Sequence, residues 1–96
     1  MRAGLASPPM ETEPGFGPDD GIDHDGPIPP YRQLEAILAA RITRGDWQPG
    51  RLIPSEVQLM GEYGLARGTV RRALDALAEA GRIFVVPQRG RYVSKD

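Results

Sequence analysis

Residues 54–77 read PSEVQLMGEYGLARGTVRRALDAL, in which two short helical patterns meet across a turn containing Gly64. The second pattern opens with arginines spaced to face outward. A helix pair joined by such a turn has the shape that fits a DNA major groove. Directly after it, residues 82–93 read as a basic hairpin centred on Gly90, in the position of a wing. A fold for this chain must accommodate capped helix, turn, basic helix and hairpin in that order.

Composition separates this run from what precedes it. Of the 10 Pro and 12 Gly in 96 residues, residues 1–30 hold seven and five. That segment has too little to bury against the entropy of ordering it, so residues 1–28 are expected to form a disordered acidic arm. Charge divides in the same way: residues 1–30 carry one basic side chain against six acidic ones (net −5), and residues 31–96 carry eleven against seven (net +4). The overall charge of −1 conceals a basic domain behind an acidic arm. The folded part, residues 29–94, is one domain, and at roughly 65 residues it can bury only about 60% of its unfolded surface.

The absence of cysteine removes disulfides, thiolate metal sites and cysteine nucleophiles together. No window approaches the roughly 18 apolar residues of a membrane span, and MRAGLASPPM has no apolar stretch after Arg2, so a cytoplasmic setting is expected.

Helix character begins at YRQLEAILAARITRG, where Tyr31, Leu34, Ile37, Leu38 and Ile42 make one apolar stripe. Gly45 and Asp46 stop it, glycine readily taking the left-handed conformation that ends helices. After Trp47 and the Pro49-Gly50 turn, residues 51–53 are long enough only for a short extra strand that pairs with a hairpin. Ser55 to Gln58 fits the capping box S-x-x-Q, so a second helix starts at Glu56 with Val57, Leu59 and Met60 on its apolar side. The third helix covers residues 67–80, with Val70, Ala73, Leu74 and Leu77 inward and Gly68, Arg71, Arg72, Asp75 and Glu79 outward. From Arg82 the period becomes that of a strand. Residues 87–90 turn the chain, and Tyr92 and Val93 return it. The fold class expected is α+β, mainly α: a winged helix-turn-helix of three helices, a two-stranded β-wing and the short extra strand.

Arg67, Arg71 and Arg72, with Gly68 and Thr69, give the third helix a basic tip of small residues. Arginine's planar fork grips a guanine edge or a phosphate, threonine donates to phosphate, and glycine lets the helix come close. The plainer alternative is a solvated face with Arg71 paired to Asp75. Arg89, Gly90 and Arg91 form a cationic loop tip suited to a phosphate strand or the minor groove, against the alternative of an ordinary charged turn. The aromatic residues Tyr31, Trp47, Phe84 and Tyr92 read as packing.

The stretch DDGIDHDG over residues 19–26 is not a calcium loop. With Gly26 in sixth place, the first position is Gly21 and the twelfth Arg32, so two key ligands are missing. His24 has no partner at ligand spacing, and Ser55 has no histidine in the folded part to act as its base. No metal, cofactor or enzymatic activity is expected.

Taken together, Tyr31-Arg32-Gln33-Leu34, Gly45-Asp46 to Pro49-Gly50, Leu52-Ile53-Pro54-Ser55-Glu56, Arg67 to Leu74, and Gly81 to Val93 resemble the winged helix-turn-helix domain of GntR-type transcription regulators. The resemblance covers essentially all of residues 29–94. It implies a third helix entering the major groove of a palindromic operator as part of a dimer. By position, Arg67, Gly68, Thr69 and Arg71 fall where the family contacts bases and phosphates, and Arg89 and Gly90 fall at the wing tip.

Three residues depart from the family pattern: Val57 stands where an arginine usually follows PSE, Ala66 replaces a serine or threonine cap, and Gln88 replaces the first wing glycine. Losing the cap costs about 1 kcal/mol. Arg72, usually acidic in the family, offers a compensating cation. The C-terminal effector-binding and dimerising domain of the family has no counterpart in these 96 residues, so no small-molecule effector site is expected within them. Double-stranded DNA is the expected partner. A second possibility is a protein-interaction module, an adapter or antirepressor, suggested by the missing arginine and the acidic arm.

Overall fold

The computed structural model describes residues 15–95. Among the described residues three helices, α1 (Pro30–Arg44), α2 (Glu56–Tyr63) and α3 (Arg67–Glu79), precede a hairpin of β1 (Ile83–Val86) and β2 (Gly90–Val93).

α1 opens on Pro30, whose missing N–H removes one of the donors that a helix start leaves unpaired. It closes on Gly45 at φ 95°, with the Gly45 and Asp46 N–H groups both donating to the Arg41 carbonyl. In α2 the expected capping box is present: the Ser55 hydroxyl accepts from the Gln58 N–H at 3.1 Å, and Gln58 Oε1 accepts from the Ser55 N–H at 2.9 Å. α3 starts from Ala66 with no side-chain cap. Among the described residues no helix is long and apolar enough to cross a membrane.

The core forms where the three helices meet the hairpin. Leu34, Leu38, Leu59, Val70, Leu74 and Leu77 are fully buried, and Ile53, Ile83 and Val93 attach the sheet to them. β1 and β2 run antiparallel, with Ile83 opposite Val93 and Phe84 opposite Tyr92. The extra strand expected over 51–53 is a single bridge between Leu52 and Tyr92, flanked by bonds from the Ile53 N–H to the Arg91 carbonyl and from the Val93 N–H to the Arg51 carbonyl, each 2.9 Å.

Two side chains expected inside lie outside. Val57 is 60% exposed. At 100° per residue it sits about 200° around the helix from the buried Leu59, and an eight-residue helix buries only one stripe. Phe84 is also exposed, stacked on Tyr92 with ring centroids 5.8 Å apart, because it occupies the hairpin face turned away from Ile83 and Val93.

The arm departs from the expected disorder over residues 15–28. Gln33 is fully buried, and its side chain binds the arm's backbone: Oε1 accepts from the Asp23 N–H at 2.8 Å, while Nε2 donates to the Asp23 carbonyl at 2.9 Å and the Ile28 carbonyl at 2.6 Å. Ile22 packs on the core and Asp19 pairs with Arg44 at 2.9 Å. One amide supplies complementary groups to a segment that has no helix or strand of its own. The rest of the expected arm, residues 1–14, lies outside the described residues.

Candidate nucleic-acid interface

The capping box that starts α2 also aims Glu56, its first residue, at the tip of α3. Arg67 Nη1 donates to Glu56 Oε1 at 2.9 Å. Arg71 grips the same carboxylate with two bonds of 3.0 Å, from Nε and Nη2. Arg91, from β2, adds a third guanidinium through Nη2 at 3.1 Å. Hydrogen bonding from Arg71 pulls the Glu56 carboxyl down to about 2, against the opposing effect of burial and with help from Arg67 and Arg91. Three cations thus share one anion, leaving an excess of positive charge where α2, α3 and the hairpin converge.

These three arginines are not equivalent. The side chains of Arg67 and Arg71 are 51% and 54% exposed, whereas that of Arg91 is 20% exposed and braces the hairpin against α2. Arg71 takes Glu56 as its partner instead of the Asp75 suggested by helical spacing. Arg72 leaves this cluster, its guanidinium lying 4.0 Å from the centroid of the Tyr31 ring. Thr69 is half-buried and Gly68 is exposed. A Cβ built on Gly68 meets nothing within 4 Å, so no packing within the domain requires a glycine there.

At the hairpin tip the Arg89 N–H donates to the Val86 carbonyl at 2.9 Å, closing a turn with Pro87 and Gln88 at its centre. Gln88 has φ 67°, the left-handed region where the family pattern places glycine. Arg89 is exposed at this tip. Gly90 lies tight against the 51–53 segment: a Cβ there would fall 2.8 Å from Leu52 Cδ1. Between the hairpin and the start of α2 runs a groove of about 350 Å³, lined in part by Leu52, Glu56, Val57, Arg67, Arg89 and Arg91.

The other arginine cluster is neutralised locally. Arg41 and Arg44 both bind Asp46, and they also reach Glu62 and Asp19 respectively. Hydrogen bonds from Arg44 and then Arg41 hold the Asp46 carboxyl well below the usual carboxylate range. Carboxylates outnumber guanidiniums there, so the uncompensated positive charge lies on the side of α3 and the hairpin.

Arg67 and Arg71 lie together as their spacing predicts, but Glu56, which joins them, and Gln33, which binds the arm, have no functional role assigned by the sequence. The PSE motif was a signal for Glu56. For Gln33, a glutamine inside an apolar stripe was a weaker one.

Three helices, a capped turn and a basic hairpin define the winged helix-turn-helix class. Residues 30–93 match the family described as "Bacterial regulatory proteins, gntR family". The chain belongs to the GntR family. It is 38% identical over 74 residues to the HTH-type transcriptional repressor NagR of Bacillus subtilis (strain 168), covering 77% of this chain and 30% of that protein. It is 37% identical over 71 residues to the mannosyl-D-glycerate transport/metabolism system repressor MngR of Escherichia coli (strain K12), covering 74% of this chain and 30% of that one. The chain therefore spans about 30% of the length of these curated relatives.

Among solved structures it is similar to the DNA-binding domain of AraR in complex with operator ORR3, with a TM-score of 0.69 and 28% identity over 78% of this chain and 90% of that one. It is also similar to YtrA from Sulfolobus acidocaldarius, a GntR-family transcription factor, with a TM-score of 0.67 and 33% identity over 78% of each chain.

Proposed function

We propose that this chain is the DNA-reading part of a transcription regulator, with α3 in the major groove and residues 87–91 of the hairpin along the backbone or in the minor groove. The convergence of Arg67 and Arg71 on Glu56 at the exposed tip of α3 carries this reading, because it presents two guanidinium forks already ordered for phosphate or guanine. Gly68 and Thr69 let the tip approach, and Arg89 with Gly90 supplies the hairpin contact, while Arg72, held over Tyr31, lies off that tip. Arg91 acts chiefly by bracing the hairpin through Glu56. Relatives that are repressors, and a structural neighbour bound to its operator, support DNA over the adapter or antirepressor alternative.

Two copies on a palindromic operator would follow the same geometry, and such a regulator acts in the cytoplasm without catalysis. The test is selection of binding sites from a random duplex library, followed by titration of the best site at several salt concentrations. Arg71→Ala is expected to weaken binding by roughly 5- to 150-fold, the equivalent of a bidentate contact worth ~1–3 kcal/mol. An unchanged affinity would remove the recognition role of α3.

A further inference from the structure

Val57 is the most exposed large hydrophobic side chain among the described residues, and it stands at the second position of α2, in a groove that also holds Leu52 and the charged side chains of Glu56, Arg67, Arg89 and Arg91. Its neighbour Glu56 holds the two arginines of the α3 tip, and Arg67 lines the same groove. The isopropyl group contributes nothing to the core, since it projects from the helix face opposite Leu59. Of the groups that a major groove presents, the thymine C5-methyl is the apolar one that such a side chain can cover.

We propose that Val57 is a specificity-determining residue that reads a thymine methyl beside the base pairs addressed by Arg67 and Arg71. This rests on the DNA-reading function above. A branched apolar group held rigidly on the first turn of a capped helix gains by excluding water from one methyl and offers no hydrogen bond to any other base edge. Arginine chemistry at the α3 tip and apolar chemistry at the α2 tip would together select a guanine step next to a thymine.

The experiment begins with the full chain and sites selected from a random duplex library. Each thymine of the best site is then replaced in turn by deoxyuridine, which removes only the methyl. The expected result is one thymine per half-site whose replacement weakens wild-type binding by about fourfold, the scale of one buried methylene. In Val57→Ser, which removes both methyls and leaves a hydroxyl, that uracil effect shrinks below twofold while those at other thymines persist. Val57→Arg is expected to move the selected base at that position toward guanine, as a bidentate fork requires. Melting curves of both variants establish that they fold, as the exposure of Val57 predicts. A saturable complex without any Val57-dependent uracil effect overturns this inference alone. Absence of any saturable complex overturns the DNA-reading function and this inference with it.

Discussion

Gly68→Ala separates folding from function in opposite directions. Gly68 is the second residue of α3, its Cβ position is open, and its φ lies outside the left-handed region, so alanine fits without strain. Glycine inside a helix is about 1 kcal/mol worse than alanine, and in a first turn the gain is about half of that. The variant should therefore gain roughly 0.5 kcal/mol in stability, which for a domain this small raises the melting temperature by roughly 2–4 °C. The new methyl projects from the exposed tip of α3, where it would hold the helix off the duplex. Loss of one bidentate contact costs about 1–3 kcal/mol, roughly a fivefold to 150-fold loss of affinity. Thermal melts and gel-shift titrations on one selected site read the two effects. A variant that is stabilised and binds as well as wild type refutes the close-approach role of Gly68, and a variant that is destabilised refutes the account of an open Cβ.

Other perturbations address the arm, the carboxylate hub and the hairpin. Gln33→Ala removes three hydrogen bonds of about 0.5–1.5 kcal/mol each, but the arm can detach and rehydrate its backbone, so the net loss should be about 1–2 kcal/mol. Hydrogen exchange at the Asp23 amide should accelerate roughly 5- to 30-fold, the equivalent of that loss; unchanged protection there would show that Gln33 does not hold the arm. The Glu56 carboxyl lies at about 2 in the fold against an ordinary 4.5, so the unfolded chain takes up its proton first as pH falls. Its contribution to stability is present above pH 4.5 and is lost progressively toward pH 2, and Glu56→Gln should flatten this part of the wild-type curve of urea midpoint against pH. Identical slopes for the two proteins would contradict the three-arginine cluster. Gln88→Gly relieves a left-handed residue worth about 1–2 kcal/mol and restores about 0.5–1 kcal/mol of chain entropy to the unfolded state, for a net gain of about 0.5 kcal/mol in urea denaturation.

The parts of this fold that announce themselves in the sequence are those fixed by short-range chemistry. Ser55 and Gln58 cap each other across three residues, Gly45 ends α1, and Val70, Ala73, Leu74 and Leu77 repeat at helical spacing, so each is legible from its neighbours. Residues 51–53 announced a strand and found β2, though only for one bridge. Gln33 was hidden because its partners are backbone groups at Asp23 and Ile28, which carry no side-chain signature. Val57 reads as part of the apolar side but faces outward, because eight residues complete too few turns to define a stripe. The role of Glu56 required the folded packing of α2 on α3, since Arg71 lies fifteen positions away and Arg91 thirty-five.

The carboxylate of Glu56 behaves as a resident stand-in for a phosphate. Guanidinium groups at rest on it are kept in fork geometry, and under the proposed DNA reading an incoming duplex would have to outcompete an anion already in place. A sequence supplying only backbone charge would offer an even exchange, whereas one that also offers guanine edges would tip it. An acidic residue at the centre of a basic surface would in that way raise selectivity.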